Sequence, residues 1–341
     1  MKQYDLSVLI PARNEIYLRI TVDNILEKIR GNTEVIVGLD GAWADPPLVD
    51  DPRLTILYRN VPAGQRGMTN DLCRLSNAKY VMKIDAHCAV DEGFDVKMME
   101  AMKGHDDWTM IPTLYNLHAF NWRCLKCGNE WYQSPFPKHC QLPAEARKDN
   151  PNCDNTTDFK KIIIWQKRGE GRRSEAYRFD TTLHFQYHRD QMKKTQGDVI
   201  ETMSAQGSCF MLTREKYWEL NICDEEFGSW GQQGTEVACK TWLSGGKLVT
   251  NRKTWYAHMF RTQGGDFGFP FPISGEQVEH ARQYSKDLFM SNTWPKQIYP
   301  LHWLVDKFKP LPDWHDEKFK EIYDKVVKSG EEFYKIHEKP N

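Results

Sequence analysis

The chain lacks any long apolar run. Nowhere in its 341 residues is there a stretch approaching the roughly 18–20 apolar residues that a membrane span needs. It also lacks an excess charge of either sign: 46 Lys and Arg face 47 Asp and Glu, a formal net charge of -1. Any attraction to a polyanion therefore has to be local. No leader is legible at the start, where Met1-Lys2-Gln3-Tyr4-Asp5 runs straight into an apolar segment, and a cytoplasmic location is expected. Disulfides are not expected either, because nine cysteines in a cytosolic chain point to buried thiols or metal ligands. What remains, 40% apolar and 27% charged, is an ordinary composition. It is long enough for one large domain, or for a core with insertions.

The first hundred residues alternate two patterns. Segments 5–10, 34–39, 54–58 and 79–84 are apolar runs of strand length. Ile16–Ile29 and Arg66–Ser76 carry apolar residues at helical spacing. This β-α-β rhythm predicts an α/β fold with a Rossmann-like, mostly parallel sheet flanked by helices. Ligands of such sheets bind beyond the carboxyl ends of strands, where Asp40 and Asp85 fall. Trp108–Pro112 reads as one more strand. Residues 118–195 lack regular periodicity and read as a Cys-rich insertion. Strand character returns at Gly207–Thr213, with helices expected near Arg214–Leu220, over 232–244 and in the tail, Asp313–Glu338.

The most informative triplet is Asp85-Ala86-His87, at the end of the apolar run Tyr80–Ile84. Side chains two apart on a strand point the same way, so both can hold one divalent cation that neutralises a diphosphate. Further motifs surround it in order. Leu6-Ser7-Val8-Leu9-Ile10 leads into Pro11-Ala12-Arg13-Asn14-Glu15. Glu34–Leu39 ends at Asp40-Gly41. Later come Trp230-Gly231-Gln232-Gln233-Gly234-Thr235-Glu236 and Tyr256-Ala257-His258-Met259-Phe260-Arg261.

In that order and at those distances the set resembles the GT-A nucleotide-sugar glycosyltransferases of family 2. The polypeptide N-acetylgalactosaminyltransferase branch, which also combines Asp-x-His with a distant His, is the nearest match in motif. The resemblance covers roughly 5–115 and 200–290. It implies a UDP-sugar donor, with Asp85, His87 and His258 holding Mn2+ (or Mg2+) on its diphosphate. Two imidazoles and one carboxylate favour the softer Mn2+. It also implies that Asp40 and Pro11, Ala12, Arg13 and Glu15 hold uracil and ribose. Arg66 would belong to the nucleotide site, Arg261 would lie near the phosphates, and Gly207 would give the sugar close backbone access. The expected division is 1–117 as donor half, 118–195 as insertion with acceptor contacts, 196–295 as acceptor and catalytic half, and 296–341 as a helical extension. The Gly-, Phe- and Pro-rich segment 262–275 would be a lid over the donor.

The family's usual acidic pair is missing. Inverting members place Glu-Asp near Gln233-Gly234, and the retaining relatives place Glu-Asn after Trp-Gly-Gly; this chain has neither. An inverting displacement needs a base. Gln233, Glu236 and Trp230 are the candidate catalytic residues, Glu236 being the nearest acid and equally placed for a structural role. Asp180 or Glu201 could serve as base instead. Without a base, front-face attack with retention of configuration is expected.

A second cluster is Cys124-Leu125-Lys126-Cys127-Gly128, His139-Cys140 and Cys153. Cys-x-x-Cys-Gly is a common half of a zinc knuckle. Cys140 and Cys153 can complete a structural Zn2+ site, with His139 as a substitute. Beyond it, residues 160–194 hold ten Lys or Arg against four acids, with Trp165, Tyr177, Phe179, Phe185 and Tyr187 among them. Cations interleaved with aromatics suit a nucleic acid. The leading acceptor is thus DNA carrying a hydroxymethylated base, as in viral DNA modification in a host cytoplasm. The alternatives are transfer to a protein or an envelope glycan precursor, or a non-catalytic sugar-nucleotide or nucleic-acid binding protein.

Overall fold

The computed structural model describes residues 3–141, 153–169, 171, 173–261, 268 and 271–337. The first half runs β1 (Leu6–Ala12), α1 (Leu18–Lys28), β2 (Thr33–Asp40), β3 (Leu54–Arg59), α2 (Gly64–Leu75), β4 (Tyr80–Ile84), β5 (Cys88–Val90) and α3 (Phe94–Met102). Then come β6 (Trp108–Cys124), β7 (Glu130–Tyr132), β8 (Phe159–Lys167), β9 (Arg173–Ser174), β10 (Tyr177–Phe179), β11 (Phe185–Tyr187) and α4 (Arg189–Lys194). The remainder is β12 (Val199–Glu201), β13 (Cys209–Thr213), α5 (Arg214–Glu219), α6 (Gln233–Leu243), β14 (Lys247–His258), α7 (Gly275–Phe289), α8 (Leu301–Lys307) and α9 (Lys320–Ile336).

The main sheet has the order β12-β14-β6-β13-β4-β1-β2-β3. β1 pairs in parallel with β2 and with β4, and β2 with β3. β6 and β14 form a second parallel pair, and β13 runs antiparallel between the two groups. β1, β2 and β4 are buried along almost their whole length, as strands covered on both faces must be. α1 turns Leu18, Val22, Ile25 and Leu26 inward at helical spacing. The tail helix α9 buries Val326, Gly330 and Phe333 in the same way.

The segment 118–195 is more regular than its sequence suggests. β6 is one strand of 17 residues that crosses the expected boundary at 117 without a break. Its outer half pairs with β7 and β8. The pairing with β8 shifts register between His118 and Phe120, where β8 carries one extra residue next to Trp165 at φ +51, a bulge that breaks the period-two alternation of β8. Phe120, Trp122 and Trp165 form a second core with Tyr17, Ala257 and Met259. The hairpin thus packs behind the end of β14 and the start of α1. Most of the expected lid, including 262–267, lies outside the described residues.

Candidate active site

Three chain segments converge at the carboxyl ends of β4 and β14. Asp85 follows β4, and His87 precedes β5. β5 pairs with β14 so that Cys88 faces His258. His87 Nε2 lies 3.1 Å from His258 Nε2, which lies 3.1 Å from Asp85 Oδ2. An octahedral ion with bonds of ~2.1 Å holds neighbouring ligands ~3.0 Å apart. The donor set therefore fits a six-coordinate divalent metal.

The surroundings tune each ligand. His87 Nδ1 is 3.0 Å from Glu15 Oε2. A carboxylate only accepts, so the ring proton sits on Nδ1 and the Nε2 lone pair faces the metal position. Burial pushes the His258 imidazole down to about 4, against the opposing pull of Asp85. It stays neutral and able to ligate near neutral pH. Asp85 is held well below the ordinary carboxylate range: burial works upward, but Lys83, His258 and His87 outweigh it. Glu15 is also lowered; burial again works upward, but His87, Arg261 and the Tyr17 N–H prevail.

A cavity of about 210 Å³ opens beside Asp85, lined by Gln65, His184, Phe185, Gly207, Trp230, Gln232, Gln233 and Arg282, among others. Gly207 adopts φ +92, and a Cβ there would meet Gly234 N at 2.7 Å. The 205–208 turn and the start of α6 thus approach backbone to backbone. Gln233 donates from Nε2 to Cys223 Sγ at 3.0 Å, while its buried Oε1 has no partner among the described residues.

The expected site residues divide into two groups. Asp85, His87 and His258 meet, and Gly207, Trp230 and Gln233 line the adjoining cavity. Glu236 does not reach it. Fully buried, its Oε2 accepts from Arg66 Nε at 3.0 Å, and its Oε1 accepts from Asp224 N at 2.8 Å and Lys240 Nζ at 3.2 Å. Arg66, 1% exposed, also donates to the carbonyls of Gly228 and Gly231. Arg66 and Glu236 brace the α2–α6 contact; this is the structural one of the two roles expected for Glu236, and it turns Arg66 to the protein interior rather than to the cavity. Asp40 is committed as well: its carboxylate accepts from Ala63 N at 2.7 Å and Gly64 N at 2.9 Å, satisfying free N–H groups at the start of α2. Glu15 stands behind His87, and its Oε2 also pairs with Arg261; Arg261 is thereby turned to Glu15 and to the Gly268 carbonyl. Pro11 and Ala12 close β1, and Arg13 lies over the Phe271 ring at 5.6 Å. Asp180 is consumed within the β10–β11 turn by Thr182, His184 and Gln186. Glu201 pairs with Lys247 and Lys307. Neither acid lines the cavity.

The composition of 160–194 also looked different in sequence. Trp165, Tyr177 and Phe179 are buried core residues. Lys161 lies over Phe120 at 4.9 Å and Lys167 over Tyr115 at 4.6 Å. Arg173 pairs with Glu175, and Arg178 with Asp313. Strand alternation spends these aromatics on the interior, so they form no continuous stacking stripe. Arg172 lies outside the described residues.

At the outer end of β6, four thiols meet. Cys124 Sγ is 3.6 Å from Cys153 Sγ, and Cys127 Sγ is 3.5 Å from Cys140 Sγ. All four sulfurs lie within 4.8 Å of one another. A tetrahedral ion with bonds of ~2.3 Å sets sulfurs ~3.8 Å apart. Burial tends to raise the Cys124 thiol, but hydrogen bonds from Asn155 and the Cys127 and Lys126 amides bring it down to about 6. His139 is exposed and is not part of the four-sulfur set.

Phe185, singled out among the aromatics of 160–194, lines the cavity; Lys83, Gln65, His184 and Arg282 were not singled out from sequence. Lys83 alone carried a signal there, a lysine inside an apolar strand two residues before Asp85.

Residues 7–135 match the model of Glycosyl transferase family 2. The chain is 23% identical over 266 residues to the putative polypeptide N-acetylgalactosaminyltransferase 13 of Drosophila melanogaster, covering 73% of this chain and 39% of the relative. It is 30% identical over 82 residues to human N-acetylgalactosaminyltransferase 7, covering 24% and 12%. The structure resembles a crystal structure of GalNAc-T7 with UDP, GalNAc and Mn2+ at a TM-score of 0.59 and 14% identity, over 99% of this chain and 59% of that one. The chain thus spans about two fifths of the first relative's length. The fold is GT-A, a mixed, mostly parallel sheet flanked by helices. Among the described residues no helix is long and apolar enough to cross a membrane.

Proposed function

We propose that this protein is a metal-dependent glycosyltransferase that moves a sugar from a UDP-sugar to an acceptor hydroxyl. One observation carries this reading: Asp85 and His87 meet His258, 171 positions beyond His87, with His258 Nε2 3.1 Å from a donor atom of each, beside a cavity at the strand ends. When bound, Mn2+ acts as a Lewis acid on the leaving diphosphate. Glu15 fixes the His87 tautomer, and burial keeps His258 neutral. Trp230 and Gln233 line the cavity beside the metal ligands. Asp85 is the one carboxylate on the cavity wall among the described residues, and it is committed to the metal. The acceptor proton therefore passes to the departing diphosphate oxygen, with attack from the same face and retention of configuration. Incubation with Mn2+ and a panel of UDP-sugars tests the reading; a sugar-transfer product absent with every acceptor, together with no UDP release, defeats it.

A protein hydroxyl is the first acceptor reading, because the relatives that match along the chain are named as polypeptide transferases. A hydroxymethylated base in DNA is the second. Phe185, His184 and Arg282 at the cavity wall favour it, since a flat ring stacks on such groups. Parallel reactions with peptides and with hydroxymethylated DNA, read by product mass, separate the two.

We further propose that Cys124, Cys127, Cys140 and Cys153 hold a structural zinc ion. Their sulfur spacing supports it. Metal analysis of the purified chain is expected to find one zinc per molecule; its absence from a folded, reduced preparation overturns the assignment.

A further inference from the structure

A buried ammonium lies directly under the metal ligands. Lys83 is 1% exposed, in a strand whose other residues, Tyr80, Val81, Met82 and Ile84, are apolar or aromatic. Burying an unpaired charge costs several kcal/mol, and a leucine or methionine would fill the same space without that cost. Strand alternation puts Lys83 and Asp85 on one face. The Lys83 ammonium pairs with Asp85 Oδ1 and donates to the Gly207 carbonyl at 3.1 Å. Gln65 Nε2 donates to the same Oδ1 at 3.2 Å. Asp85 Oδ2 instead faces His258. The carboxylate is divided: one oxygen is held by protein donors, the other is turned to the metal position.

We propose that Lys83 is a positioning residue that restricts Asp85 to one ligand oxygen and cancels its charge, so that metal and nucleotide diphosphate are taken up together. The proposal rests on the metal-dependent UDP-sugar reading above. The acids touching the three ligands and their partners are Asp85 and Glu15, and they are matched by Lys83 and Arg261. A divalent cation entering alone adds uncompensated charge to a shielded site, where charges interact strongly. The diphosphate supplies the missing negative charge. Binding linkage is reciprocal, so UDP tightens the metal by the factor that the metal tightens UDP.

The test is Mn2+ binding to the full chain, followed by the electron paramagnetic resonance of free Mn2+ with and without UDP. UDP is expected to tighten Mn2+ by about tenfold or more in the parent protein, within the usual range of coupling between sites. Lys83→Met is expected to bind Mn2+ alone about tenfold tighter and to lose most of the UDP enhancement. Gln65→Leu, at the cavity wall, should shift Mn2+ affinity the same way by a smaller step, and it stands in if Lys83→Met fails to fold. Unchanged Mn2+ affinity and an unchanged UDP effect in a folded variant overturn the role of Lys83 and leave the metal site standing. No Mn2+ binding to the parent chain, even with UDP, defeats both.

Discussion

The two clusters proposed to bind metal are built by opposite routes. Asp85, His87 and His258 come from positions up to 173 residues apart and are brought together by the sheet. Behind them stand buried partners, Glu15, Lys83 and Arg261. The four cysteines lie within one short stretch, Cys124 to Cys153, at the outer end of a hairpin, and two of them are only half-buried. In the first case the fold makes the site. In the second, the proposed metal makes the local fold, because a short irregular segment cannot bury a core of its own.

The contrast gives the two sites different signatures under perturbation. His258→Ala, which leaves the Lys83–Asp85 pair in place, should cut Mn2+-dependent turnover by about a thousandfold or more, the scale of losing a metal's charge stabilisation, while the melting temperature stays within a few degrees. Strong unfolding of this variant would erase the distinction between the clusters. Glu236→Gln should do the reverse. It breaks a buried ion pair and is expected to cost about 3–5 kcal/mol of stability, read by denaturant unfolding; a folded variant that has lost turnover would restore Glu236 as a catalytic base. Zinc removal by chelator, or Cys124→Ser with Cys127→Ser, should abolish hydrogen-exchange protection in β7 and β8 but leave β1, β2 and β4 protected. Glu15→Gln keeps the shape but weakens the partner of His87. It should lower Mn2+ affinity by about 10–100-fold, measured by titration.

The smallest effect is on pH. In the metal-free protein the His258 imidazole sits near 4, below its ordinary value of 6.5. The unfolded chain takes up that proton first, so the contribution to stability is full above 6.5 and is lost as pH falls toward 4. Thermal melts across that window should show a smaller decline for His258→Asn.

Much of this was legible in the sequence. The first four strands are apolar runs separated by amphipathic segments, and the structure reproduces them to within about two residues. Asp85 and His87 stand two apart at a strand end, which already aims them together. His258 was readable only through the order of distant motifs. Long-range pairing hid the rest. Arg66 and Glu236 lie 170 residues apart, and nothing local shows that one consumes the other. Asp40 sits at a strand end as expected, but the free N–H groups of α2 claim it. β6 was cut short at Pro112, but the strand runs on to Cys124 because its later residues find partners distant in sequence, in β14 and β8. The basic-aromatic composition of 160–194 left the placement of its residues open for a related reason: counting residues does not reveal which face of a strand they occupy.

The tight approach at Gly234 limits what can be engineered beside the cavity. A Cβ there would stand 2.0 Å from the Ala205 carbonyl oxygen, a backbone atom that cannot swing aside. No acid or amide can be introduced at this place by a single substitution; the turn at 205–208 would have to be rebuilt first.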